Sequence, residues 1–121
     1  MEHELILSLI KRGDLAEASK ILSQLLHKNK NDFKSLILLS DIRQQSNDLN
    51  GAIKLLFRAH LIKPNNINIL NKLSRLYYQT QRTDQAISTL KKALILQSDA
   101  VEIKVNLANI YASLFKYHEC I

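Results

Sequence analysis

The feature that most constrains the fold of this chain is an internal repeat of 34 residues. A shift of that length brings similar residues into register. One column is apolar, with Leu5, Leu39, Leu73 and Leu107, and a second is small, with Ala18, Ala52, Ala86 and Cys120. A third column, again apolar, contains Leu22, Leu56 and Leu90. A repeat of this length is typical of a supersecondary unit that buries its apolar face against its neighbours. The sequence therefore predicts a repeat array.

Each repeat has the pattern of two helices joined by a short turn. In the second repeat, apolar residues recur at helical spacing on both sides of Ser46-Asn47-Asp48. Pro64 ends the second helix, because proline cannot continue a helix and biases Lys63 toward extended backbone. The pattern predicts helices over 2–11, 14–28, 33–45, 48–62, 67–79, 82–96, 100–113 and from 116 onward. Gly13 is predicted to close the first helix, and Asp14 has capping-box spacing with Glu17 for the second.

Composition supports an all-α fold. The 121 residues include 22 Leu and 14 Ile but two Gly and one Pro, too few for the tight turns of a sandwich or barrel. Small residues at Ser40 and Ser74, and at Ala52 and Ala86, are predicted to let the two helices of a repeat approach closely. The predicted architecture is a stack of antiparallel helix pairs with a continuous core.

The charges indicate no nucleic-acid footprint. Seventeen Lys and Arg against 11 Asp and Glu give a net charge of +6, but the bases are scattered along the chain. No apolar run approaches the roughly 18 residues of a membrane-spanning helix, and the start Met1-Glu2-His3-Glu4 is acidic where a signal peptide is basic. The single Cys120 fits a reducing compartment. We expect a cytoplasmic protein with neither nucleic acid nor membrane as partner.

The residues that carry catalysis or bind metals do not form a pattern. The four histidines lie far apart, and His118 and Cys120 are two positions apart, which points them to different sides of a helix. Gly13 and Gly51 cannot build a glycine-rich phosphate loop. We therefore expect no catalytic residues, no metal and no cofactor.

The positions Leu36, Leu39-Ser40, Gly51-Ala52, Phe57, Ala59 and Pro64-Asn65-Asn66 identify a family resemblance. The chain resembles the tetratricopeptide repeat (TPR), a helix–turn–helix unit, over essentially its whole length. The resemblance implies a right-handed superhelical stack, an α-solenoid, as a single domain 1–121 with units of about 1–32, 33–66, 67–100 and an incomplete 101–121. The chain departs from the family where a Trp-like residue is usual, at Leu36, Leu70 and Lys104, and where Ile6 replaces a small residue.

The resemblance also implies a partner-binding surface, because the first helices of TPR units line a concave groove. The groove positions predicted to bind a partner are Lys34, Ile37, Asp41, Asn68, Asn71, Lys72, Arg75, Tyr78, Asn106 and Asn109. Asparagine amides both donate and accept, so they pair with a peptide backbone, and some superhelical TPR arms are similar in using a row of asparagines. An alternative interpretation of some of these asparagines is compositional, because Asn is also frequent in the turns.

The predicted function is a non-catalytic scaffold that binds a peptide or protein segment in the groove. The alternative is an N-terminal substrate-docking arm of a larger enzyme, similar to the arms of bacterial glycosyltransferases or sulfotransferases. The family's chaperone-tail clamp does not match: the corresponding positions are His3, Leu7, Leu38, Asn68 and Lys72, or begin at Ile37 and Asp41. Leu107, Ile110 and Tyr111 are predicted to lack a packing partner, which would favour self-association through an uncapped C-terminal end. No small-molecule substrate is expected.

Overall fold

A computed structural model describes the backbone of residues 2–119 and the side chains of residues 4–115. The described part of the chain contains seven α-helices and no strand. In chain order they are α1 (Glu2–Lys11), α2 (Leu15–Lys28), α3 (Phe33–Gln45), α4 (Leu49–Ile62), α5 (Ile67–Gln79), α6 (Thr83–Leu96) and α7 (Val101–Glu119). The first six helices match the predicted ones to within one residue. The helices form two compact units, Met1–Ile62 and Lys63–Ile121.

The turn between the helices of each pair has a repeated backbone geometry. Gly13, Asn47 and Gln81 lie at the same repeat position, and their φ angles of 84°, 63° and 65° are all left-handed. The amide of the residue that follows each of them donates to a carbonyl five residues earlier, as in Asp14 to Leu9 at 2.9 Å and Arg82 to Tyr77 at 2.7 Å. These are helix C-caps of the Schellman type. Gly13 thus closes α1 as predicted.

Helix α7 corrects the predicted end of the helical map. The sequence predicted a helix over 100–113 and another from 116, whereas the backbone of α7 is one helix as far as Glu119. The repeat position of Gly13, Asn47 and Gln81 is here occupied by Phe115. A bulky aromatic residue is strongly disfavoured in left-handed backbone, which favours continuation of the helix where the earlier repeats turn.

Capping at the helix starts also differs from one prediction. Asp14 makes no side-chain hydrogen bond to α2, so the expected capping box with Glu17 is wrong. The Asp14 carboxylate instead lies 3.4 Å from the Arg12 guanidinium in an exposed ion pair. Side-chain caps do occur at α3, where Asp32 accepts from the Ser35 amide at 3.4 Å, and at α5, where Asn66 accepts from the Ile69 amide at 3.2 Å.

In the first unit α1 packs against α2, α2 against α3, and α3 against α4. Its core contains the predicted columns and their neighbours: Ile6, Leu9, Ala18, Leu22, Leu26, Leu36, Leu39, Ile42, Ala52, Ile53, Leu56 and Ala59. Leu5 departs from its column, because its side chain is 53% exposed whereas Leu39 and Leu73 are buried. Leu39 lies on a helix covered by both α2 and α4, and α1 receives its cover from α2.

In the second unit α5 packs against α6, and α6 against α7. A single apolar cluster joins them, made of Leu70, Ala86, Leu90, Ala93, Ala100, Ile103 and Ile110. The expectation that Ile110 lacks a partner is wrong, because Ile110 is buried in this cluster and the half-buried Leu107 packs against it. Tyr111 is exposed. Lys104, at the Trp-like repeat position, is exposed, whereas Leu36 and Leu70 at that position are buried.

Candidate functional site

A small cleft lies between α5 and α7 of the second unit. Its volume is about 140 Å³. The residues that line it come from two turns of α5 and two turns of α7: Ser74, Arg75, Tyr78, Asn106, Asn109, Ile110 and Ser113. Helical spacing of three and four residues puts these side chains on facing sides of the two helices. We call this space the α5–α7 cleft.

Three polar side chains at one side of this cleft form a hydrogen-bonded row. Asn71, only 8% exposed, donates from Nδ2 to Glu102 Oε1 at 3.0 Å. Asn106 donates from its own Nδ2 to Asn71 Oδ1 at 2.6 Å. A buried amide without hydrogen-bond partners would lower the stability of the protein by about 1–3 kcal/mol. The two bonds avoid this loss for Asn71, and they link α5 to α7.

The two serine hydroxyls of the cleft are bonded within their own helices. Ser74 Oγ donates to the Asn71 carbonyl at 2.7 Å, and Ser113 Oγ donates to the Asn109 carbonyl at 3.0 Å. The groups that remain to meet a partner are the guanidinium of Arg75, the phenol of Tyr78, the amide of Asn109 and the carbonyl oxygen of Asn106. The α5–α7 cleft is therefore equipped for hydrogen bonding and aromatic contact.

The structure brings four of the ten predicted partner-binding residues together in this cleft: Arg75, Tyr78, Asn106 and Asn109. Asn71 lies beside them, but its side chain is engaged inside the protein. Asn68 is exposed on the first turn of α5 and Lys72 is half-buried on the same helix. Lys34, Ile37 and Asp41 lie on α3, in the first unit.

Sequence reasoning missed three residues of this site and one hydrogen bond beside it. Ser74 was assigned to packing, Ile110 was expected to lack a partner, and Ser113 fell at a predicted helix end. Ser113 lies four residues after Asn109, so a continuous helix would have placed both on one face. The bond between Asn71 and Glu102 joins residues 31 positions apart and has no local sequence signal.

A second, wider cleft of about 880 Å³ lies in the first unit between the ends of α2 and α4, and we call it the α2–α4 cleft. Basic and apolar side chains line it: Ser23, Leu26, His27, Lys30, Asn31, Arg58, Leu61 and Ile62. Arg58 Nη2 donates to the Lys30 carbonyl at 3.0 Å, which holds the guanidinium against the loop between α2 and α3. The α5–α7 cleft is the stronger candidate, because it combines a hydrogen-bonded polar row with predicted groove residues.

Neither a metal site nor a membrane-spanning helix is found among the described residues. No group of three or more His, Cys, Asp or Glu side chains is placed there to hold a metal ion. None of the described helices combines the length and apolar character that crossing a bilayer requires. His118 and Cys120, considered above as a metal or nucleophile pair, lie outside the described side chains.

Helix pairs with a 34-residue repeat and left-handed turns define a helical-repeat protein. Residues 43–104, about half of the chain, match the family model described as tetratricopeptide repeat. The chain belongs to the tetratricopeptide repeat family. The resemblance drawn from the sequence is thus confirmed, as is the all-α fold of that family. Comparison with curated proteins gave no match.

Several solved structures share this fold. A crystal structure of MamA is 18% identical with a TM-score of 0.81 and covers 92% of this chain and 65% of its own. A tetratricopeptide repeat protein from Parabacteroides merdae is 22% identical with a TM-score of 0.87, covering 97% of this chain and 47% of its own. The first TPR of Spaghetti (RPAP3), bound to the HSP90 peptide SRMEEVD, is 14% identical with a TM-score of 0.80, covering 92% and 88%. The chain spans less than two thirds of the MamA chain.

Proposed function

We propose that this protein is a non-catalytic scaffold that binds an extended segment of another polypeptide at the α5–α7 cleft. The observation that carries the proposal is the convergence of Arg75, Tyr78, Asn106 and Asn109 on one cleft beside a hydrogen-bonded polar row. The RPAP3 structure, which has the same fold, is bound to a peptide, and this supports a peptide as the class of ligand.

The size of the cleft favours a peptide over a small molecule. Pockets for drug-sized ligands measure about 300–1,000 Å³, whereas this one measures about 140 Å³. That volume suits one side chain of a longer partner, with the rest of the partner lying across the rim. Binding through several modest polar contacts of this kind is weak, with dissociation constants on the order of micromolar.

The side chains that line the cleft can make complementary contacts with such a segment. The Arg75 guanidinium donates to a backbone carbonyl or a carboxylate, and the Tyr78 ring, 39% exposed, offers apolar contact. Asn109 pairs with either backbone group. Asn68 and Lys72 extend this surface along α5. Lys34, Ile37 and Asp41 are proposed as a contact point of their own on α3.

Selection from a displayed library of random peptides of about twelve residues tests this function, with the full chain as bait. We expect enriched peptides whose retention falls at least about tenfold with Arg75→Glu or Tyr78→Ala, because each variant removes a rim contact. Lys91→Glu is the matched control, since it makes the same charge change at an exposed site on α6. Absence of any enriched peptide, or equal retention by Arg75→Glu, would contradict the proposal.

The peptide SRMEEVD is a second probe with the opposite expectation. The positions that would form the family's chaperone-tail clamp do not carry its residue types here. We therefore expect no saturable binding of SRMEEVD at concentrations that saturate the library peptides. Tight binding of SRMEEVD would contradict this expectation and would indicate that the partner is a chaperone tail.

The same cleft would serve the alternative function, a substrate-docking arm of a larger enzyme, because docking also needs a peptide-binding surface. We also propose a cytoplasmic location, on the basis of the single cysteine.

A further inference from the structure

The row Glu102–Asn71–Asn106 has a direction that its chemistry fixes. An ionised carboxylate only accepts hydrogen bonds, whereas an Asn amide donates from nitrogen and accepts at oxygen. Because Glu102 accepts, Asn71 must turn its Nδ2 toward the Glu102 carboxylate, and its Oδ1 is then left to accept from Asn106. Asn106 must then donate, as it does at 2.6 Å. The reverse arrangement would set the Asn71 oxygen against the Glu102 carboxylate.

The direction of the row determines what Asn106 offers to the cleft. One N–H of its amide donates to Asn71, which leaves the carbonyl oxygen of Asn106 as the acceptor that it offers to a partner. Arg75, on the opposite wall, offers donors alone. An acceptor on α7 facing a donor on α5 matches the alternating N–H and C=O groups of an extended peptide.

We propose that Glu102 is a positioning residue that sets the direction of this row, so that the α5–α7 cleft selects a partner group that donates a hydrogen bond to Asn106. The selected group is a backbone N–H of the bound segment. The identity of the ligand rests on the proposed function, whereas the direction of the row does not.

A double-mutant cycle followed by urea unfolding tests the direction without any ligand. Asn106→Asp replaces the donor by an acceptor, so two carboxylates compete for the single Asn71 amide. We expect the unfolding equilibrium constant to rise about tenfold or more. Adding Glu102→Gln supplies a new donor at the other end, and the row can then run in reverse. We expect the double variant to recover most of the loss.

A second pair of variants separates hydrogen-bond direction from charge repulsion. Glu102→Ala removes the same negative charge as Glu102→Gln but supplies no donor. If the row acts as proposed, Glu102→Ala recovers less of the loss in Asn106→Asp than Glu102→Gln does, because alanine leaves the Asn71 oxygen without a donor. Equal rescue by Ala and Gln, or no rescue by Gln, would overturn the directional role of Glu102.

The selection of a donor is tested on the peptides enriched from the library. Each backbone amide of an enriched peptide is methylated in turn, which removes one N–H. We expect methylation at one position to weaken binding at least about tenfold, and Glu102→Gln, which frees the row to invert, to reduce that penalty. Binding that is insensitive to methylation at every position overturns donor selection but leaves peptide binding intact. If the library yields no peptide, the proposed function and donor selection both fail, and the unfolding cycle still decides the role of Glu102.

Discussion

Ser74 and Ala108 occupy the same position in successive repeats, yet Ser74 is buried and Ala108 is exposed. The repeat position alone therefore does not determine burial. A residue is buried when a following helix covers it, as α6 covers α5, and the described backbone beyond Ala108 continues in α7 itself. Small residues are required only where two helices meet.

This distinction predicts that replacing alanine by leucine has different effects on stability at two positions of the second unit. Ala86, fully buried in the apolar cluster, has no room for a larger side chain, so Ala86→Leu should destabilise the protein by about 1–3 kcal/mol. Ala108→Leu, at an exposed site, should change stability by about 0.5 kcal/mol or less. Urea unfolding measures both. Equal losses would mean that the α7 face is covered.

At the scale of the helices, the sequence predicted most of the fold because periodicity and turn residues are local signals. Gly13 and Asn47, each two residues after a helix end, are residue types that favour left-handed backbone, whereas Gln81 adopts it at the same repeat position without that preference. The partners of Asn71 were not predictable in this way. Helix phase indicates which side of α5 carries Asn71, but Glu102 and Asn106 are 31 and 35 residues away, and their meeting depends on how α5 and α7 pack.

The continuity of α7 is testable by restoring the turn of the first repeat. Phe115→Gly combined with Lys116→Asp recreates the Gly13-Asp14 pair, because glycine adopts left-handed backbone without strain. We expect helical Cα chemical shifts to end near Leu114 in this double variant. Phe115→Ala is the control and should keep the helix. Helical shifts through residue 119 in the Gly/Asp variant would show that packing, not residue 115, sustains α7.

At the scale of the whole molecule, the net charge of +6 is spread over both units. The cations of the α2–α4 cleft lie on the first unit, and Arg75 lies on the second. Recognition of nucleic acid needs basic residues concentrated on one surface, with aromatic side chains on which bases stack. A scattered charge gives only weak, salt-sensitive attraction.

We accordingly expect no saturable binding of single-stranded DNA. Fluorescence anisotropy with a labelled oligonucleotide should show attraction at low salt that disappears at physiological salt, where non-specific binders still reach about 10⁻⁴–10⁻⁶ M. The peptide selection run at the same salt is the positive control. Micromolar DNA binding that persists would instead assign the basic α2–α4 cleft to nucleic acid.

The cap of helix α4 has a consequence for repeat engineering. The Gly51 amide donates to Asp48 Oδ1 at 3.0 Å, and a Cβ on Gly51 would collide with that carboxylate. The other copies carry Glu17 and Gln85 at this position, so a consensus sequence would discard the glycine. Removing it gains about 1 kcal/mol of helix propensity but displaces a cap of similar value. Designed arrays based on this chain should therefore exchange residues 48 and 51 as a pair.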